Sequence, residues 1–126
     1  MATPTVRVRS QRPTVLAADT LAGDKVVNLK NENLGTIEHL MIDLATGRVA
    51  YAVLSFGGFL GMGDKLFAIP WGALALDTVE KCFVLNADKE LLEKAPGFDK
   101  DHWPDMADRT WGTGICSYYG AKPYWD

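Results

Sequence analysis

The densest group of residues able to do chemistry is Asp99, Asp101, His102 and Asp105 in "FDKDHWPD". Carboxylates at alternate positions are the donors of a calcium loop, which also needs a glycine at its sixth position and a glutamate at its twelfth. Counted from Asp99, the fifth position is Trp103, the sixth Pro104 and the twelfth Thr110, so the calcium loop fails. Zinc needs nitrogen and sulfur donors that converge, and the only histidines are His39 and His102. The group therefore reads as a solvated acidic turn capping a helix, and no metal ligand is assigned.

The second candidate is "SFGGFLGMGDKLFAIPW", Ser55 to Trp71. A phosphate-cradling loop needs GxxxxGK[ST] between a strand and a helix. Gly58 and Gly63 have that separation, but Asp64 stands where the lysine belongs, and a carboxylate repels phosphate. The dinucleotide pattern GxGxxG fails as well, because Leu66 follows Gly61 and Gly63 where a third glycine is required. The segment after the glycines reads as a strand, so no helix N-terminus faces an anion. No cofactor is expected. What remains is a glycine-flexed hairpin connection carrying Phe59, Leu60 and Met62. Exposed apolar patches mark contacts with protein or membrane. These side chains either form such a patch or fold back on their own barrel.

Nothing in the chain has the spacing of a nucleophile with its base. Glu38 and His39 are adjacent, so on a regular strand they face opposite ways unless a bulge intervenes. Cys82 sits in the strand-like "KCFVLNA" and reads as a small buried hydrophobe; Cys116 has no motif-level base. No catalytic residue is assigned, and the expectation is a protein that is not an enzyme.

The length of 126 residues suits one domain. No apolar run approaches a membrane span, and "MATPTVRVRSQRPTV" has no secretory apolar region, so the expected localisation is cytoplasmic. Arg7, Arg9 and Arg12 lie in the leader, which leaves 10 basic against 16 acidic residues from Pro13 onward. An acidic body repels phosphate backbones, so nucleic acid is not an expected partner.

The elements that must position these residues follow from pattern. Residues 1–12 read as a disordered leader. Val15 and Leu16 are expected to begin a first strand, and "KVVNL" to form another. "TIEHLMID" and "RVAYAVLSF" flank a turn at Thr46-Gly47. In the second of these, Val49, Tyr51, Val53 and Ser55 share one face, and Ala50, Ala52, Leu54 and Phe56 the other. Neither face is polar, so both are covered. "KLFAIPW" and "EKCFVLNA" complete the strands, with "WGALAL" as a short helical turn or corner between them. Asp88 caps a short helix anchored by Leu91 and Leu92 and stopped by Pro96-Gly97. A further helix is expected from Pro104 toward Trp111, with Gly112 and Gly114 breaking it. The aromatic tail is too costly to leave in water, and Trp103, Trp111 and some of Tyr118, Tyr119, Tyr124 and Trp125 are expected to be largely buried.

From Leu21 to Leu76 the chain resembles the PRC-barrel family. The resemblance rests on Gly23 with Val26-Val27, on "NLGTIEHLMID", on "TGRVAYAVLS" and on "AIPWGAL". The tail resembles that of small stand-alone bacterial members. The resemblance implies a mainly β fold: a small SH3-like barrel of five or six antiparallel strands between about Thr14 and Asn86, with a short helix and an aromatic-rich C-terminal extension. The implied domains are a leader at 1–12, a PRC-barrel domain at 13–87 and an extension at 88–126 packed on the barrel or on a partner subunit. The family includes the cytoplasmic region of the reaction-centre H subunit and the C-terminal domain of a ribosome maturation factor. Both use the barrel to touch protein, and neither specific role transfers.

The function expected is a non-catalytic protein-binding or assembly module acting as a homodimer. One alternative is a regulatory barrel docking peripherally on a membrane or photosynthetic electron-transfer complex. Another is a small enzyme whose site forms no motif. The candidate interaction surface is Phe56, Phe59, Leu60, Met62, Trp71, Trp111, Tyr118, Tyr119 and Trp125.

Overall fold

Among the described residues, seven strands form one sheet in the order β1-β6-β7-β2-β3-β4-β5. They are β1 (Arg7–Val8), β2 (Lys25–Val27), β3 (Asn33–Asp43), β4 (Arg48–Phe56), β5 (Lys65–Pro70), β6 (Leu74–Asp77) and β7 (Cys82–Leu85). The helices are α1 (Ala18–Leu21), α2 (Lys89–Glu93) and α3 (Arg109–Tyr119), and Trp71–Ala73 is a single 3-10 turn. The computed structural model describes residues 7–8, 15–56, 65–77 and 79–126, and at 7–8 the backbone alone. The fold is mainly β, with six strands inside the expected limits.

Sequence neighbours β2–β3, β3–β4, β4–β5 and β6–β7 pair antiparallel. β7 returns beside β2 in parallel, and β1 lies parallel to β6. The sequence expectation, built on hairpins, has antiparallel ladders only; a parallel partner comes from far along the chain, so no local turn signals it.

The β3–β4 ladder has two register shifts that bend it: the one at Ile37/His39 leaves an extra residue on β3, and the one at Met41/Ile42 leaves Ala50 extra on β4, so Ala50 joins Tyr51 and Ala68 and not, as expected, Ala52 and Leu54. The first makes Glu38 the unpaired residue of a bulge, so Glu38 and His39 are both exposed. The hairpin turn forms as expected, with Gly47 at φ 73°.

One face of the bent sheet closes over Val26, Leu34, Ile37, Leu54, Phe67 and Phe83, with Leu92 of α2 joining them. Each such side chain contributes about 1.5–3 kcal/mol when fully buried. Asp88 caps α2 through Leu91 N, as expected, but Leu92 alone anchors it; Leu91 is exposed.

Three local expectations are corrected. Val15 and Leu16 form no strand and are exposed, while the α1 turn buries Leu21 instead. "WGALAL" forms the expected helical turn only at Trp71–Ala73; the rest is the unexpected strand β6, because Leu74 and Leu76 find a ladder on β7. The last helix starts at Arg109 and runs through Gly112 and Gly114 to a left-handed cap at Gly120. A glycine costs about 1 kcal/mol in a helix interior, and packing against the sheet overrides that cost. Its N-cap is Asp108, whose side chain accepts from Thr110 N.

Candidate docking groove

The site grows from the β3–β4 turn. Asp43, the last residue of β3, accepts the amides of Ala45 at 2.9 Å and Thr46 at 3.4 Å on one carboxylate oxygen. This is how an aspartate holds a turn without the sheet. Its other oxygen accepts the Tyr124 hydroxyl at 2.6 Å, from 81 residues away. Across the ladder from Asp43 stands Arg48, whose Nη1 donates to the Tyr124 carbonyl at 2.9 Å. Both ends of Tyr124 are thus tied to the hairpin. The Tyr124 bond, ahead of the turn amides, holds the Asp43 carboxyl below the ordinary aspartate range; the same bond pushes the Tyr124 hydroxyl up.

Behind the turn, Tyr51 of β4 is fully buried. It packs edge-on against Trp111 at 5.2 Å and Tyr124 at 6.1 Å between ring centres. Ala50, Tyr51, Ala68 and Ile115 make a second apolar cluster outside the sheet, with Met41, Phe98, Met106 and Tyr119 packed on it. The outer face of β4 and β5 is therefore covered by the chain's own C-terminal segment. This covering supplies, within one chain, what the two apolar faces of β4 demand. Phe98 pairs both its backbone groups with Leu66 on the free edge of β5. Among the described residues the Tyr51 hydroxyl has no hydrogen-bond partner; it abuts Gly112, and burial pushes it far above the ordinary phenol range.

Between turn and tail lies a cavity of about 280 Å³, lined by Met41, Ile42, Asp43, Leu44, Ala50, Tyr51, Met106, Ala107, Arg109 and Tyr124. Leu44 is 92% exposed at its rim, and Ile42 is exposed beside it. Arg109 stands over the Trp125 ring at 5.2 Å, and its charge bears on Asp43. With its carboxylate accepting three hydrogen bonds, Asp43 is a structural anion here.

The residues singled out from sequence take several places. Phe56 is buried in the inner core, 6.2 Å from Phe67 between ring centres. Trp71 packs edge-on against Phe83. Trp111 and Trp125 come together near the groove, one against Tyr51 and the other against Gly112. Tyr118 donates its hydroxyl to the Leu91 carbonyl, tying α3 to α2, and Tyr119 packs on it. Phe59, Leu60 and Met62 lie outside the described residues. Trp111, Tyr118, Tyr119, Tyr124 and Trp125 have most of their surface buried, as expected, whereas Trp103 is 39% exposed. They lie on the outside of a sheet whose interior is already full, so one side of each ring meets solvent.

Of the acidic group, Asp99 faces His102 at 3.2 Å in solvent, and Asp105 accepts Ala107 N. Among the described residues, no three His, Cys, Asp or Glu side chains are placed to hold a metal ion. His39 packs against Trp103. Cys82 and Cys116 are buried free thiols, both pushed up by burial.

The groove residues Met41, Ile42, Leu44, Met106 and Arg109 were not singled out from sequence. The one local signal for them is Leu44, a large apolar side chain in a turn.

The PRC-barrel domain family model matches residues 13–92. No curated protein matches the chain. Among solved structures, one similar chain is the 16S ribosomal RNA processing protein RimM of Pseudomonas aeruginosa. It is 23% identical, with a TM-score of 0.41, and the match covers 65% of this chain and 49% of that one. The matched region therefore spans about half of that protein's length. No helix among the described residues is long and apolar enough to cross a membrane.

Proposed function

Since the chain belongs to the PRC-barrel domain family, we propose that it is a non-catalytic binding or assembly module whose partner is a protein. The observation that carries this reading is the groove at the β3–β4 turn. Its apolar rim residues Ile42 and Leu44 stand in solvent, while two of its polar groups, Asp43 and Tyr124, are bonded to one another. A side chain that is satisfied internally is placed to shape a surface. Apolar side chains left in solvent beside a cavity are what a partner covers.

The test is affinity capture from the native cells with the full chain as bait, followed by cross-linking and mass spectrometry. A partner cross-linked near the β3–β4 turn or the start of α3 supports the reading. Turnover of a small molecule by the purified chain, with no protein retained, defeats it.

For a two-fold homodimer, the support is the apolar character of Phe59, Leu60 and Met62 in the sequence. Light scattering at micromolar concentration decides it. A mass twice the 13.8 kDa of one chain, halved by the F59D/L60D exchange, supports a dimer through that segment. A single-chain mass for the unaltered protein removes it.

A further inference from the structure

We propose that the groove is a docking site for one large apolar side chain carried on a positively charged segment of another protein. This rests on the binding-module reading and names the partner's chemistry.

The apolar part comes from the walls. Met41 and Met106 face the cavity with Ile42 and Leu44, and unbranched thioethers adapt to differently shaped guests. A volume of about 280 Å³ is near the lower end of small-ligand cavities, about 300–1,000 Å³, so it suits a side chain better than a cofactor.

The charge comes from the rim. Arg109 is matched by Asp43 and lies on Trp125. Met106 and Ala107 are flanked in the chain by Asp105 and Asp108, both exposed, against the further cation Arg48, which is held by the Tyr124 carbonyl. A partner approaching this wall meets excess negative charge on a body with 16 acidic and 10 basic residues from Pro13 onward. Lysine or arginine flanking the apolar anchor complements it.

The same sign of charge disfavours a second copy here, because two acidic rims would face each other. The backbone of Arg7–Val8 pairs along β6, at the other end of the sheet order from β4 and β5.

The experiment uses the isotopically labelled full chain and three acetylated, amidated heptapeptides. The probe is Lys-Arg-Gly-Leu-Gly-Arg-Lys; one control replaces leucine by serine, and the other replaces the four basic residues by glutamate. We expect the probe to shift the amides of Ile42, Leu44, Met106 and Ala107, and each control to bind about tenfold more weakly or worse.

M106E separates docking from unspecific attraction. It adds negative charge to the wall, so unspecific attraction rises, whereas docking is lost because the glutamate occupies the apolar cavity. A107E serves the same purpose at an exposed position if M106E disturbs the fold. D105N/D108N removes the two charges that flank the wall and keeps acceptors for Ala107 N and Thr110 N. It should weaken the probe about threefold and flatten its salt dependence.

Equal binding of the glutamate peptide, shifts away from the groove, or full binding by M106E and A107E overturns the proposal. The same amides shifting with protein concentration alone would assign the groove to a second copy, which also overturns it. If no peptide binds while a captured protein cross-links elsewhere on the chain, this inference falls and the binding-module reading stands.

Discussion

Gly112 and Gly114 are two glycines of one helix with opposite surroundings. A Cβ on Gly112 would press into the Tyr51 hydroxyl and come within 2.8 Å of the Trp125 ring, whereas one on Gly114 meets nothing within 4 Å. Gly112→Ala should therefore destabilise the protein by about 1–3 kcal/mol through overpacking, despite alanine's better helix propensity. Gly114→Ala should stabilise it by roughly 0.5–1 kcal/mol. Urea unfolding of the two variants reads both signs; a stabilising Gly112→Ala would show that Tyr51 does not fill that space. Asp43 supplies a pH test. Its folded pKa is depressed, chiefly by Tyr124, so its stabilisation is present above the ordinary aspartate value of about 3.9 and is lost as pH falls through the lower folded value. Tyr124 is raised by the same bond, so its contribution is present below about pH 10 and lost as pH rises through the raised folded value. Tyr124→Phe should lose less stability than the unaltered protein both on acidification and on alkalinisation. Melting temperatures across pH check it, and parallel curves for the two proteins would contradict it.

At the scale of elements, the C-terminal segment does what a second sheet does in a sandwich. α3 packs against β5, and Ile115 sits in the cluster with Tyr51 and Ala68. Phe98 occupies backbone groups on the edge of β5, an edge that would otherwise invite another strand. Truncation after Phe98 should expose the outer face of β4 and produce aggregation with strong binding of a hydrophobic dye. Ile115→Ala, which leaves the segment in place, should cost about 2–5 kcal/mol, because this side chain is 3% exposed. A soluble truncated chain with unchanged unfolding would show that the segment contributes no cover.

For the whole molecule, the inner and outer clusters share β4 and β5. Ala52, Leu54 and Phe67 face inward, and Ala50, Tyr51 and Ala68 belong to the outer group. Neither cluster can loosen without disturbing strands the other needs, so barrel and tail should unfold together. Three of the four tryptophans, Trp103, Trp111 and Trp125, report on the tail, while far-ultraviolet circular dichroism follows the sheet and helices. The two signals should coincide in one denaturant transition. An earlier fluorescence transition would mean that the tail is a separate unit resting on a finished barrel.

How much of this is legible in the chain depends on the range over which each signal acts. The β3–β4 turn, the Asp88 cap and the alternation of β4 are set by contacts a few residues apart, so Thr46-Gly47, Asp88 and the doubly apolar "RVAYAVLSF" announce them. The resemblance of Leu21 to Leu76 carries the barrel, because that order of strands and glycines is itself local pattern repeated along the chain. The helix through Gly112 could not be read that way. Its glycine is a breaker by propensity, and its justification is Tyr51, a residue far off in sequence that needs the space. The groove is less legible still. Its walls come from the end of β3, the start of α3 and Tyr124, joined by a hydrogen bond spanning 81 residues. By itself the sequence determined that β2, β3, β4, β5 and β7 are strands and that both faces of β4 must be covered. Only the tertiary structure decided that the chain's own tail covers the outer face, because side chains distant in sequence share a surface only once the sheet has bent and the tail has folded back across it.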